Sequence, residues 1–209
     1  IKWMMDAASL KIVDLEFNDV NGGSFSISVA KQTAKYPECT DMIQSVLADE
    51  EKRGLSTMVP YLKFKKDMEN HRELTIDFFK KAKQEGKTIF GYGASTKGNV
   101  LLQYCAISKS EMPCIAEVNE DKFGSFTPGT LIPIVSEASA REREPDYFLV
   151  LPWHFREGIL KREQDFLEAG GKFVFPLPRF EVVSRQGSEY QSSNSSLEQK
   201  KEETLTQRL

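Results

Sequence analysis

The second half of the chain alternates short apolar runs with amphipathic stretches. Continuous apolar runs are typical of strands buried on both faces, and apolar positions at three- and four-residue steps are typical of surface helices. The predicted strands are KTIFGY, CIAEV, DYFLVLPW and KFVFPLP, with TLIPIV as an extended piece, and the predicted helices are STKGNVLLQYCA and REGILKREQDFLEAG, with a short one rich in Ala, Glu and Arg. This alternation predicts an α/β class domain over residues 85–183, a small doubly wound, Rossmann-like parallel sheet with helices on both faces.

The first half of the chain has a different pattern. KIVDLEFND and SFSISVAK flank Asn-Gly-Gly and carry apolar residues typical of strands, so they predict an antiparallel pair within residues 1–31. Two strands alone bury too little apolar surface to be stable. We therefore interpret this segment as the closing strands of a truncated, larger domain. Two helices are predicted over residues 37–84, as a helical connector.

The last 26 residues, 184–209, contain few large apolar side chains. Tyr190, Leu197, Leu205 and Leu209 are the sizeable ones in a stretch rich in Ser, Gln, Glu and Lys. Such a composition buries too little surface to offset the entropy lost on ordering. The sequence predicts a disordered tail.

Composition excludes some functions. The chain has 209 residues, of which 40% are hydrophobic and 28% charged, as in an ordinary soluble protein, and its formal net charge of −3 argues against a nucleic-acid partner. No run approaches the roughly 20 apolar residues of a membrane helix, so no membrane partner is expected. Three cysteines without disulfide or metal-ligand spacing favour a cytoplasmic protein, and no metal site is predicted. Because Ile1 opens a helix-like stretch, we expect a piece of a longer protein.

A glycine-rich turn follows the first predicted strand of the α/β domain. Glycines let backbone N–H groups approach a ligand, and the helix opening near Thr96 directs its positive end at an anion. The dinucleotide pattern G-x-G-x-x-G would place its third glycine at position 96, and Thr96 there predicts a helix standing farther from the sheet. A turn that needs glycine only for its geometry is the alternative. The predicted ligand-binding residues are Gly91, Tyr92, Gly93, Ala94, Ser95, Thr96, Lys97, Gly98 and Asn99.

Three further residues are predicted at strand ends. Glu117 ends the second strand, where an acid commonly accepts hydrogen bonds from ribose hydroxyls. Trp153 and His154 follow the strand Tyr147 to Leu151. His154 is a weak catalytic candidate because its pKa suits acid–base work, and a surface histidine beside a helix is the alternative. Trp153 is a candidate for substrate contact, with packing as its alternative.

Four stretches occur in the order GYGASTKGNVLLQYC, VNEDKFGSFTPGTLIPI, PDYFLVLPWHF and GGKFVFPLP. Together they resemble the C-terminal domain of the sugar-nucleotide C-methyltransferases, over about residues 85 to 180. NDVNGGSFSISVAK is similar to the closing strands of the methyltransferase domain that precedes it in such proteins. The family often has Asp where Glu117 stands and Asn where His154 stands. The second departure argues against an essential acid–base role for His154.

The resemblance implies the substrate-holding part of an enzyme that moves a methyl group from S-adenosylmethionine to a carbon of a nucleotide-linked sugar. It implies that S-adenosylmethionine, and zinc in the whole protein, are bound mainly by upstream segments, so that this chain alone is expected to be inactive. Two alternatives remain from the residues. One is an NAD(P)-dependent oxidoreductase module, which the glycine turn and Glu117 favour and Thr96 disfavours. The other is a non-catalytic Rossmann-like nucleotide-binding or scaffold module.

Overall fold

The computed structural model describes residues 1–190. The chain divides into two compact units, Ile1–Lys66 and Asp67–Leu209. The long helix α3, Val59–Gln84, spans the division.

The first unit is built around the predicted antiparallel strand pair. It contains α1 (Lys2–Ala7), β1 (Leu10–Asn18), β2 (Ser24–Lys31) and α2 (Thr40–Lys52). The strands pair from Leu10 with Lys31 to Asn18 with Ser24, with one irregularity between Ile12 and Asp14. The turn between the strands needs positive φ angles, 55° at Asn21 and 123° at Gly23, which Asn and Gly adopt most readily. The predicted hairpin is confirmed.

The second unit is a seven-stranded, mostly parallel sheet in the order β5-β4-β3-β6-β7-β8-β9. Strands β3 to β7 pair in parallel, and β8 and β9 add an antiparallel hairpin. The elements are β3 (Ile89–Tyr92), α4 (Thr96–Tyr104), β4 (Ile115–Glu117), β5 (Ile134–Ser136), α5 (Glu137–Arg141), β6 (Tyr147–Val150), α6 (Arg156–Arg162), α7 (Gln164–Glu168), β7 (Lys172–Phe175), β8 (Glu181–Ser184) and β9 (Gly187–Tyr190). The predicted doubly wound α/β fold is confirmed.

Two apolar layers cover the two faces of this sheet. Along β6, Phe148 belongs to one layer and Leu149 to the other, as the alternation of side chains along a strand requires. The layer containing Leu149 also includes Phe78 and Phe79 of α3 and helix α4, whereas α5 and α6 contribute to the layer containing Phe148. The second half of α3 is therefore part of the second unit. The helical connector expected over 37–84 stays a prediction, and its two helices are α2 and α3.

The sheet also extends beyond the predicted end of the domain at residue 183. Residues 187–190 pair with β8, and the buried carboxylate of Glu181 accepts hydrogen bonds from Arg156 Nε at 2.9 Å and Nη2 at 2.6 Å. An edge strand is held by backbone pairing and needs few apolar side chains. The disordered tail expected over 184–209 stays a prediction: residues 187–190 form β9 in the structure, and 191–209 lie outside the described residues.

Candidate functional site

The strand order reverses between β3 and β6, and a cleft lies where these strands end. From β3 the chain moves outward through β4 and β5, and then returns to β6 on the other side of β3. Open α/β sheets bind ligands at the carboxyl ends of their strands, beside such a reversal. The cleft has a volume of about 420 Å³ and is lined by Tyr92, Gly93, Ala94, Ser95, Glu117, Val118, Lys122, Glu137, Pro152, Phe155, Gly158, Ile159 and Arg162.

The turn after β3 requires glycine at position 93. Gly93 has a φ of +77°, and a Cβ built there would lie 2.8 Å from Pro152 Cγ. Its N–H donates to the Ala116 carbonyl at 2.8 Å, which ties the turn to β4. At Gly93 the backbone therefore lines the cleft without a side chain to cover it. The ligand-binding role that the sequence indicates for Gly93 stays a prediction.

Gly98 brings helix α4 against the sheet. A Cβ at Gly98 would lie 2.5 Å from Leu151 Cβ, closer than real Cβ atoms approach a neighbour. Ser95 caps the helix, because its Oγ accepts a hydrogen bond from the Gly98 N–H at 2.9 Å. Close packing of helix and strand is the task of the third glycine in the dinucleotide pattern. The expectation from Thr96 that the helix stands away from the sheet is therefore wrong, since a glycine two residues later does this work.

Gly91 lies in the core. It is buried within β3, and a Cβ there would lie 2.7 Å from Ile115 Cγ1 and 3.2 Å from Met112 Cε. Gly91 is thus explained by packing between β3 and β4.

Glu117 is held by four donors from the protein itself. Its Oε1 accepts from the backbone N–H groups of Val118 at 2.8 Å and Asn119 at 3.0 Å. Its Oε2 accepts from the Ala94 N–H at 2.9 Å and from Lys122 Nζ at 3.0 Å. Burial acts to raise the pKa of Glu117, but the N–H of Asn119, the Lys122 ammonium and the N–H of Val118 outweigh it, so the pKa is lowered. Glu117, which was expected to bind ribose, is ionised and holds the glycine turn through hydrogen bonds.

A buried carboxylate that sequence analysis missed supports the other wall of the cleft. Glu163, 5% exposed, accepts hydrogen bonds from Tyr92 Oη at 2.8 Å, Arg141 Nη2 at 2.5 Å and Arg162 Nε at 2.9 Å. Arg162 also contacts the Tyr92 hydroxyl and Glu137. These five side chains form one network of charges and hydrogen bonds.

The sequence did contain a signal for Glu163. The predicted single helix is divided at Glu163, whose ψ of 21° departs from helical geometry, into α6 and α7. Ile159, Glu163 and Phe166 follow one another at steps of four and three residues, which places them on one helix face. An acid on the apolar face of a helix indicates a buried partner.

The structure places His154 and Trp153 beside the cleft and outside its lining residues. Trp153 packs against both apolar layers at the end of β6, as a packing residue does. His154 lies in a 3-10 helix with its ring centroid 4.3 Å from that of Phe155. Burial and the Lys97 ammonium lower the pKa of His154, which favours a neutral ring. Among the described residues the buried Nδ1 of His154 has no hydrogen-bond partner.

The predicted residues thus separate into two groups. Tyr92, Gly93, Ala94, Ser95 and Glu117 line the cleft. The other predicted residues lie in the core, along the start of α4 or after β6. In the described part of the chain, these residues do not line the cleft: Gly91, Thr96, Lys97, Gly98, Asn99, Trp153 and His154.

A second hollow, of about 430 Å³, lies at the opposite edge of the sheet. Two of the three basic residues that line this hollow already have partners there. Lys87 forms an ion pair with Asp146 at 2.7 Å, and Lys172 lies over the ring of Tyr147. Because this is where the parallel strands begin, the edge carries none of the strand-end turns that bind ligands in such sheets. We therefore place the candidate site in the cleft beside Gly93.

Residues 1–190 contain no group of three or more His, Cys, Asp or Glu residues that could hold a metal ion. The same residues contain no helix long and apolar enough to cross a membrane.

Comparison with known proteins adds two findings. The family described as C-methyltransferase C-terminal domain matches residues 19–178. The C-methyltransferase NovU of Streptomyces niveus is 32% identical over 185 residues, which cover 88% of this chain and 44% of that protein. The chain therefore spans less than half the length of this curated relative.

Proposed function

The chain belongs to the C-methyltransferase C-terminal domain family, and from this premise we propose that its second unit holds a nucleotide-linked sugar for methylation at carbon. The observation that carries the proposal is the Gly93 turn in the 420 Å³ cleft at the strand reversal. In the proposal the diphosphate lies against residues 93–95, where the backbone is not shielded by a side chain at Gly93. Ser95 caps α4 there, and the positive end of the helix favours an anion.

Lys122 supplies a positive charge to the same cleft. Its ammonium donates to the Ala94 carbonyl at 2.9 Å and to Glu117 Oε2 at 3.0 Å. An ammonium has three N–H donors, so one more is available to a phosphate oxygen. The side chain is 41% exposed and lines the cleft. Glu117 would thereby act on the ligand indirectly, by fixing both the turn and Lys122.

The proposed reaction uses this chain for positioning. Methylation at carbon requires removal of a proton beside a sugar ketone and attack of the resulting carbon nucleophile on a methyl donor. Holding the sugar in place lowers the barrier by several kcal/mol, on the order of the effects of proximity and orientation. In this proposal the diphosphate anchor does that work, and proton transfer is left to residues outside the cleft described above.

S-adenosylmethionine is the methyl donor in this proposal, but neither the cleft beside Gly93 nor the apolar groove of the first unit fits it. The cleft presents Lys122 and the N-terminus of α4, which favour an anion and oppose a sulfonium cation. The apolar groove of the first unit, bordered by Ile12, Phe25 and Ile43, has a volume of about 150 Å³. Small-molecule sites typically measure about 300–1,000 Å³. We infer that the methyl donor is held elsewhere in the enzyme.

Calorimetry with paired glycine variants tests the proposal. The ligands are uridine diphosphate, thymidine diphosphate, one sugar conjugate of each, NAD and S-adenosylmethionine. Gly93→Ala adds a methyl group against Pro152, whereas Gly86→Ala adds one in open space at a similar φ of +69°. We expect Gly93→Ala to weaken nucleotide-sugar binding about tenfold or more, through loss of backbone contacts. Gly86→Ala should leave it unchanged.

Each alternative corresponds to a different result. Binding of NAD alone would support an oxidoreductase module. Absence of binding by every nucleotide would support a scaffold. Equal weakening by Gly86→Ala would assign the effect to strain in the fold instead of contact with the ligand.

A further inference from the structure

The acid expected to bind the sugar hydroxyls of a nucleotide is already occupied. A carboxylate offers about four acceptor positions, and Glu117 receives four hydrogen bonds from Ala94, Val118, Asn119 and Lys122. A ligand hydroxyl would have to displace one of them. A nucleotide in this cleft therefore needs another acceptor.

Glu137 begins helix α5, directly after the neighbouring strand β5, and lines the same cleft. Glu117 pairs with Ser136 at the ends of β4 and β5, and Glu137 is the next residue. Its side chain is 22% exposed, compared with 6% for Glu117. It thus reaches solvent in the cleft where Glu117 does not.

Glu137 has acceptor capacity left over. Its Oε1 accepts from Arg162, whereas its Oε2 lies 3.9 Å from Arg141 Nη2, which is longer than a hydrogen bond. Among the described residues no hydrogen bond reaches Oε2. Arg162 is in turn held by Glu163, and through Arg162 this contact fixes the orientation of the Glu137 carboxylate.

The spacing suits a nucleotide. Strands in a sheet lie about 4.8 Å apart, so the end of β5 is roughly 10 Å from the end of β3. An extended nucleoside diphosphate anchored at Gly93 crosses that distance and brings its nucleoside sugar towards β5.

We propose that Glu137, and not Glu117, accepts hydrogen bonds from the ring hydroxyls of the nucleoside. The inference rests on the proposed function, since it assumes that a nucleoside diphosphate occupies the cleft. It assigns Glu117 to holding the turn and Glu137 to recognising the sugar.

The charges around Glu137 are consistent with that assignment. Arg141 and Arg162 face it with positive charge, while Glu117 and Glu163 face it with negative charge. Burial first and Glu163 second raise the pKa of Glu137. A ring hydroxyl of the ligand would donate a hydrogen bond to the ionised carboxylate of Glu137. This bond would stabilise a charge that is partly buried.

The test combines protein variants with altered ligands. Uridine diphosphate and thymidine diphosphate are each compared with the analogue that lacks its ring hydroxyls, by calorimetry at neutral pH. The wild type should prefer the hydroxylated ligand about tenfold or more, as expected for hydrogen bonds to a charged group. Glu137→Gln should reduce that preference to about threefold or less while it binds the hydroxyl-free analogue as the wild type does. Glu120→Gln, an exposed acid in the nearby 3-10 helix, is the matched control and should keep the full preference.

The possible outcomes are distinct. If Glu137→Gln retains the preference for hydroxylated ligands, the assignment to Glu137 is wrong. If the wild type binds none of these ligands, the proposed function fails and the inference fails with it. Binding of the hydroxyl-free analogue also reports that the variant is folded. Should Glu137→Gln unfold, Glu137→Asp keeps the charge but shortens the side chain, and it must lose the preference if the assignment is correct.

Discussion

The carboxylate of Glu117 accepts a hydrogen bond from the backbone N–H of Ala94, with Oε2 2.9 Å from the nitrogen. This contact joins the end of β4 to the turn that follows β3. The same oxygen receives the Lys122 ammonium, which also holds the Ala94 carbonyl. The geometry of the cleft entrance therefore depends on the ionised form of one buried acid.

Glu117→Gln should destabilise the fold by about 1–3 kcal/mol near neutral pH, because an amide NH₂ would face the Ala94 N–H and Lys122 as a further donor. The lowered pKa of Glu117 sets the pH dependence. The stabilisation of the fold by ionised Glu117 is complete above the pKa of this group in the unfolded chain, about 4.3. It is lost as the pH falls through the lower pKa of the folded state. The difference in unfolding free energy between wild type and variant should thus narrow in acid, as measured by urea denaturation.

A control variant separates this effect from general acid sensitivity. Glu120→Gln changes an exposed acid three residues away and should show no such pH-dependent difference. A constant difference between wild type and Glu117→Gln from pH 7 to pH 3 would show that Glu117 is not held in its ionised form. The pKa of Glu137 is raised, so its effect on the pH dependence of stability has the opposite sign. Protonation of Glu137 removes the cost of burying its charge.

Gly98→Ala should destabilise the second unit by about 1–3 kcal/mol through overpacking against Leu151. Gly158→Ala in α6 is the matched control, because a Cβ there meets nothing within 4 Å. It should be neutral or stabilising by up to about 1 kcal/mol, given the helix propensity of Ala over Gly. Thermal unfolding of the two variants measures the contrast, and equal effects would mean that α4 does not approach β6 closely.

Glu163→Gln should destabilise the fold by about 1–3 kcal/mol, because the partly exposed Arg141 and Arg162 would lose the buried carboxylate that they share. Glu157→Gln on the exposed face of α6 should change little. A double-mutant cycle with Tyr92→Phe should give a coupling energy of about 0.5–3 kcal/mol, since the Tyr92 hydroxyl donates to Glu163. Additive effects in denaturant unfolding would contradict a shared network.

Removal of β9 should expose the edge of β8. Two truncated proteins, ending at Ser184 and at Tyr190, differ only by residues 185–190. The shorter one should unfold at a lower temperature and associate more readily, because β8 loses its backbone partner along one edge. Differential scanning calorimetry and light scattering compare them. Identical melting temperatures would show that the hairpin adds no stability.

The pattern of apolar residues alone was sufficient to predict the fold class. Runs such as YFLVL lie on β6, with Phe148 and Leu149 in different apolar layers, and the glycine turn was predicted at the end of the first strand. These features depend on neighbours in the chain, because strand period, helix period and turn chemistry are local. A hairpin around Asn21 follows from the same local rules.

Tertiary structure alone decided which residues can serve a ligand. Glu117 ends its strand as the pattern predicts, but only the approach of Ala94 and Lys122 shows that its oxygens are occupied. Gly98 takes over helix packing because Leu151, which directly follows β6 and is distant in the chain, lies against it. β9 forms because β8 offers backbone partners, which composition does not reveal. Contacts between distant residues determine these outcomes, and local periodicity carries no information about which distant side chains will meet.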